Sequence, residues 1–171
     1  MKHPAIHGLY AITDPALIRD RQLLPAAEAA LRGGARLLQY RDKTATPAQR
    51  RHRAAQLQAL CRQHDALFLV NDDPALAADI DADGVHIGQS DGGIARARRL
   101  LGPGKIIGVT CHSDLALAEQ AAAAGADYVA FGRFFPSRTK PLAPPADPAI
   151  LDQARQQLTI PLVAIGGIQP L

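Results

Sequence analysis

Three long donor side chains, Gln39, Arg41 and Lys43, sit at alternate positions where the apolar run Ala35-Arg36-Leu37-Leu38 turns polar. In an extended strand alternate residues point to one side. An amide, a guanidinium and an ammonium placed so make a grip for a multiply charged anion such as a phosphate or pyrophosphate. Asp72, in Asn71-Asp72-Asp73, and Asp91, in Gln89-Ser90-Asp91, follow two later apolar runs. They are hard oxygen ligands suited to Mg2+ bridged by phosphate oxygens. Ser137, Thr139 and Lys140 add two hydroxyls and a cation, and Gly166-Gly167 opens backbone N–H groups towards a phosphate.

These residues need a scaffold that brings them together. Strand-type apolar runs recur at Leu9–Ile12, Leu37–Tyr40, Leu67–Val70, Val85–Ile87, Ile106–Val109, Tyr128–Phe131 and Leu162–Ile165. Between them lie stretches of helical spacing: Leu24–Arg32, Pro47–His64, Pro74–Ile80, Ile94–Leu101, Leu115–Ala124 and Pro148–Leu158. Pro47 and Pro74 fit a first helical turn, and Gly33, Gly102 and Gly125 fit helix C-caps. Strict alternation predicts right-handed crossovers and a parallel sheet. The units Asp81-Ala-Asp-Gly-Val85 and Gly125-Ala-Asp-Tyr-Val129, each entering a strand, fit repeated βα units. No GxGxxG follows the first strand, so the expectation is an α/β fold of the (β/α)8 barrel type rather than a doubly wound sheet. One domain over residues 1–171 is expected, its eighth βα unit absent, because the sequence stops just after the seventh strand. The seam between the seventh and first strands would be an edge that invites pairing with another chain, a homo-oligomer among the outcomes.

In such a barrel the C-terminal ends of the strands form the working rim. It would carry Gln39, Arg41 and Lys43; Asn71 and Asp72; His86 and Asp91; Thr110 and His112; Ser137, Thr139 and Lys140; and Gly166 and Gly167. Taken singly, several have plainer readings. Arg41-Asp42-Lys43 could be a surface ion pair, Asn71-Asp72-Asp73 a helix N-cap, and Asp91 a turn residue. His86 reads as a wall histidine and Cys111 as a small buried residue. His112, at a strand end, is balanced between function and a structural hydrogen bond. Joint placement on one rim favours function, with two phosphorylated partners and a metal between them.

Composition removes other classes. The net charge is +3 and aromatics are 4%, so nothing interleaves with Arg50-Arg51-His52-Arg53 or Arg96-Ala97-Arg98-Arg99 to stack bases. Those clusters read as solvated helix faces, and no nucleic-acid partner is expected. Cys61 and Cys111 lack the spacing of a zinc or dithiol site. No apolar stretch approaches the ~18 residues of a membrane span, so a soluble cytoplasmic protein is expected.

Tyr10-Ala-Ile-Thr-Asp14, Gly33 to Lys43, Val70-Asn-Asp72, Asp83 to Asp91, Lys105 to His112, Phe135-Pro-Ser-Arg-Thr-Lys140 and Ile165-Gly-Gly-Ile168 occur in one order along the chain. In that order they resemble the thiamine phosphate synthase family, which includes the TenI-like thiazole tautomerases. The resemblance implies a Mg2+-dependent transferase. It joins a hydroxymethylpyrimidine diphosphate to a thiazole phosphate, giving thiamine phosphate and pyrophosphate. Gln39, Arg41, Lys43 and Asn71 would then bind the pyrimidine diphosphate, Asp72 and Asp91 the metal, and Thr110 and Lys140 the pyrophosphate. Ser137, Thr139 and Gly167 would meet the thiazole phosphate. Asp73 stands where the family often has Arg, Thr110 where it has Ser, and Gln169 where it has Asn. The missing eighth unit would impair the thiazole phosphate site. Two alternatives remain open: a tautomerase with His112 as general acid/base, or a non-catalytic phosphate-binding scaffold, such as one derived from a Nudix fusion.

Overall fold

The computed structural model describes residues 6–136 and 144–169. Seven strands alternate with helices: β1 Leu9–Ile12, α1 Leu23–Arg32, β2 Ala35–Tyr40, α2 Pro47–Gln63, β3 Leu67–Asn71, α3 Pro74–Asp79, β4 Gly84–Ile87, α4 Gly93–Leu101, β5 Ile106–His112, α5 Leu115–Ala123, β6 Tyr128–Phe131, α6 Ala149–Gln157 and β7 Leu162–Ala164. A 3-10 turn at Asp20–Gln22 leads into α1. All strand pairs are parallel and follow sequence order, β1 through β7, so β1 and β7 each have one neighbour among the described residues. This is the sequential βα sheet of a barrel, curled and open between its first and last strands.

The period of two separates the two faces of the sheet. Leu37, Leu69, Ile106 and Tyr128 pack together with Tyr10 and Val163 on the lumen side. Their neighbours Leu38, Phe68, Val70, Ile107 and Val129 join the larger core beneath the helices. With few aromatics, that outer core is closed by small residues: Ala54, Ala77, Ala97, Ala118 and Ala154 of the helices are all within 1% of complete burial. The lumen is narrow. A Cβ at Gly108 would strike the Tyr128 ring, and one at Gly84 the Ile106 carbonyl.

The repeated Asp before a strand has a physical role. Asp83 Oδ2 accepts the Phe68 N–H of β3 at 2.8 Å, and Asp127 Oδ2 accepts the Ile107 N–H of β5 at 2.8 Å. Each carboxylate satisfies an N–H near the start of the preceding strand, where no sheet partner reaches it. Helix α2 starts with a capping box between Thr46 and Gln49 with Pro47 behind it. α3 is capped by Asp73, which accepts Leu76 N–H at 2.9 Å. No helix among the described residues is long and apolar enough to cross a membrane.

Arg50 and Arg53 of α2 are partly buried in ion pairs, while Arg51 and His52 lie on the exposed face that the sequence predicts. Arg50 pairs with Asp73 at 2.6 Å, Arg51 with Asp79 at 2.6 Å, and Arg53 with Asp20 at 2.7 Å and Asp42 at 2.8 Å. Their partners come from the loop before α1, the turn after β2 and helix α3, so sequence periodicity could not show the pairing. Both cysteines are free and buried. Desolvation pushes each thiol up to about 12, which leaves Cys111 a packing residue and no nucleophile.

Candidate active site

β2 ends at Tyr40, so the strand alternation that links Leu37 to Gln39 stops before Arg41. Two devices shape the turn beyond it. The buried Thr13 hydroxyl donates to Arg41 O at 3.1 Å and accepts Arg41 N–H at 2.9 Å. Asp42 Oδ1 accepts Thr44 N–H at 2.9 Å, Thr44 Oγ1–H at 2.8 Å and Ala45 N–H at 3.0 Å, while its Oδ2 takes Arg53. Burial raises the Asp42 carboxyl, but these hydrogen bonds and Arg53 outweigh it and hold the group below its ordinary value. Asp42 therefore pairs with neither neighbour, and Lys43 is carried on a turn fixed from beneath.

Lys43 Nζ lies 3.0 Å from Asp72 Oδ2. Asp72 follows β3 in a left-handed conformation, φ 61°, its N–H bound to His86 O at 2.8 Å. An Asp tolerates that region at modest cost, and such residues concentrate at functional positions. Desolvation raises the Asp72 carboxyl, yet the Lys43 ammonium above all, with the neighbouring polar side chains, brings it below the ordinary carboxylate range. Asp91 is folded back by its own turn: Oδ2 accepts Gly88 N–H at 2.7 Å, and a Cβ at Gly88 would sit 2.9 Å from that oxygen. The helix cap is thus Asp73, one residue on, and Asp72 is free of that duty.

A cavity of about 330 Å3 is lined by Tyr40, Asp42, Lys43, Arg50, Val70, Asn71, Asp72 and Asp73. A second, of about 190 Å3 on the β1 side of the same turn, is lined by Arg41 with Thr13, Asp14, Arg19, Asp42 and Arg53 among others. Arg41 and Lys43 thus line different cavities, flanking one turn. Thr110, at the end of β5, holds its hydroxyl 2.8 Å from His86 Nε2, and its carbonyl accepts Gln89 Nε2 at 2.6 Å. His112 closes β5 with φ 53°. His86 is a wall residue, 8% exposed.

Gln39 is 2% exposed, and its Nε2 donates to Tyr10 Oη at 2.8 Å. Gly167 lies in the turn after β7, where Phe135 N–H meets Gly166 O at 2.9 Å and a Cβ on Gly167 would hit Pro136 O. Its φ of 67° suits glycine for the same reason. Ser137, Thr139 and Lys140 lie outside the described residues. From sequence, Thr13, Tyr10 and Tyr128 carry no site role, and Asp42 and Arg53 read only as a surface ion pair and a solvated helix face. Asp42-Lys-Thr44 does carry an Asx-turn signature, whereas the two tyrosines declare themselves only through sheet register.

Parallel sequential strands with cations and carboxylates gathered beyond their C-terminal ends are the arrangement of barrel-type enzymes, whose sites lie at that rim. A family model described as thiamine monophosphate synthase matches residues 9–171. The chain is 72% identical over 165 residues to the thiamine-phosphate synthase of Alcanivorax borkumensis, covering 96% of this chain and 76% of that protein. It is 53% identical to the enzyme of the same name from Saccharophagus degradans, over 96% and 76% of the two chains. The solved thiamine phosphate pyrophosphorylase of Pyrococcus furiosus superposes with a TM-score of 0.83 at 36% identity, covering 94% of this chain and 75% of that one. A 3-dehydroquinate dehydratase from Geobacillus kaustophilus, 19% identical with a TM-score of 0.65 over 94% and 74% of the two chains, shares the fold alone. The chain belongs to the thiamine monophosphate synthase family. It spans about three quarters of the length of these relatives.

Proposed function

We propose that the protein makes thiamine phosphate by displacing pyrophosphate from a hydroxymethylpyrimidine diphosphate with the ring nitrogen of a thiazole phosphate. The observation that carries this reading is the Lys43–Asp72–Asp91 constellation beside the Arg41 turn. The reaction needs a charged leaving group stabilised and no side-chain nucleophile, and the inert buried Cys111 agrees with that.

The C–O bond to the diphosphate breaks, with its electron pair leaving on pyrophosphate. The methylene carbon is held as a cation by the pyrimidine, and the thiazole nitrogen then attacks it. Arg41 and Lys43 balance the charge that develops on the departing group. Gln39 and Asn71 orient the pyrimidine diphosphate, and Thr110 and Lys140 contact the pyrophosphate. Ser137, Thr139 and Gly167 serve the thiazole phosphate.

Asp91 is among the groups that act on the Asp72 carboxyl, and no group of three His, Cys, Asp or Glu side chains among the described residues could hold a metal. Two carboxylates fit a Mg2+ that keeps water and substrate phosphate oxygens as its other ligands. Bound there, the ion supplies Lewis-acid stabilisation of the leaving charge. Lys43, 3.0 Å from Asp72, is the cation that would neutralise a phosphate held beside that pair.

The test measures thiamine phosphate formation and thiazole tautomerisation on wild type, Arg41→Ala, Asp91→Ala and His112→Ala. The synthase reading expects the first two variants to lose thiamine phosphate formation and His112→Ala to retain most of it. Metal-independent turnover in Asp91→Ala would overturn it, and tautomerisation lost only in His112→Ala would favour the tautomerase.

A further inference from the structure

Gln39, Tyr10, Tyr128, His86 and Thr110 form one hydrogen-bonded chain across the barrel lumen. Gln39 Nε2 is 2.8 Å from Tyr10 Oη, which is 2.8 Å from Tyr128 Oη. Tyr128 Oη is 2.8 Å from His86 Nδ1, and His86 Nε2 is 2.8 Å from Thr110 Oγ1. The two ends belong to the substrate site proposed above. The three middle residues have no part in it so far.

The protons can be counted. Each tyrosine hydroxyl brings one and a neutral imidazole brings one, so the middle residues supply three protons to four contacts. The fourth comes from one end. If Gln39 donates it, every hydrogen bond points towards β5: Tyr10 donates to Tyr128, Tyr128 to His86 Nδ1, and His86 Nε2–H to Thr110 Oγ1. The Thr110 proton is then left over for the rim. If Thr110 donates inward, the whole chain reverses and Thr110 offers a ligand only lone pairs. An anion needs the first arrangement, and the Gln39 amide is oriented for it, with Nε2 towards Tyr10.

We propose that Tyr10, Tyr128 and His86 are positioning residues whose one-way hydrogen-bond chain, started by the Gln39 amide, keeps the Thr110 hydroxyl a donor towards the pyrophosphate. The proposal rests on the functional reading above in placing pyrophosphate at Thr110. Three features show the chain to be built rather than incidental. Gly108 lacks the side chain that would strike the Tyr128 ring. The Tyr128 and His86 rings stack with centroids 5.6 Å apart, and Tyr10 meets Tyr128 edge-on at 6.0 Å. Burial pushes the Tyr10 phenol up to about 12 and raises the Tyr128 phenol well above its ordinary value, so both keep their protons.

The experiment reads the His86 tautomer by long-range 15N NMR on histidine-labelled protein at pH 8, and magnesium pyrophosphate affinity by calorimetry. The wild type is expected to show His86 protonated at Nε2 and bare at Nδ1. Tyr128→Phe, which removes the donor to Nδ1, should mix the tautomers and weaken pyrophosphate about tenfold, the worth of one hydrogen bond to a charged group. In a Thr110→Val background the same change should cost less than about twofold, since Tyr128 acts through Thr110. A wild-type His86 carrying its proton on Nδ1, or on both nitrogens, overturns the proposal. So does a tenfold loss that persists without the Thr110 hydroxyl. Should Tyr128→Phe fail to fold, Tyr10→Phe takes its place, and the wild-type tautomer decides the direction alone. Wild-type protein that forms no thiamine phosphate counts against the functional reading, while the tautomer still decides the chain's direction.

Discussion

Asp42 holds the turn that carries Lys43, and its removal has a cost that can be worked out from its partners. The side chain is 6% exposed and accepts three hydrogen bonds on Oδ1 and Arg53 on Oδ2. Asp42→Ala strands two backbone N–H groups and leaves Arg53 with Asp20 as its remaining carboxylate at 2.7 Å. The expected loss is about 3–4 kcal/mol, the range for breaking one side of a buried pair softened by the Asp20 contact. Asp42→Asn keeps an acceptor for the turn and loses the charge facing Arg53, so it should cost only about 1–2 kcal/mol. With a urea slope of about 2 kcal/mol per molar, the midpoints should fall by roughly 1.5–2 M for Ala and 0.5–1 M for Asn. Asp42 lies below its ordinary value when folded, so its contribution is full above about pH 4 and lost as pH falls through the folded value. The gap between wild type and Asp42→Ala should therefore close in acid. Equal losses for Asn and Ala, or an Ala loss under about 1 kcal/mol at pH 7, would refute the argument that the turn is built on this carboxylate.

Other consequences are independent. Gly108→Ala forces the Tyr128 ring out of the lumen and should lower stability by about 2–3 kcal/mol, seen as a lower Tm with disturbed tyrosine near-UV signals. Cys61 and Cys111, buried with thiols near 12, should not react with a thiol reagent at pH 8 until the protein is unfolded. Lys43→Met removes the main group holding Asp72 down, so the Asp72 pKa should rise, read by carboxyl 13C NMR. An unchanged value would place the Lys43 ammonium elsewhere.

Local chemistry made the scaffold legible. Leu9–Ile12 and Tyr128–Phe131 coincide with observed strands, and Pro47 and Pro74 begin their helices as their missing N–H predicts. The limits appear where partners are distant in sequence. Strand alternation reaches Gln39 but not Lys43, because Asp42 bends the chain after Tyr40. Arg50 and Arg53 looked solvated because Asp73 and Asp20 join them only when the helices pack. The lumen chain depends on register, with Tyr128 opposite Gly108 and Asn71 opposite His86, which no single segment encodes. At the rim, Lys43 and Asp72 were each visible as candidates; their 3.0 Å contact was not.

The most direct test of the central claim follows both products when wild-type protein is mixed with hydroxymethylpyrimidine diphosphate and thiazole phosphate, with and without Mg2+. The account predicts thiamine phosphate and pyrophosphate in equal amounts, and neither once the divalent cation is chelated. Pyrophosphate released without thiamine phosphate, or turnover indifferent to the metal, would contradict it.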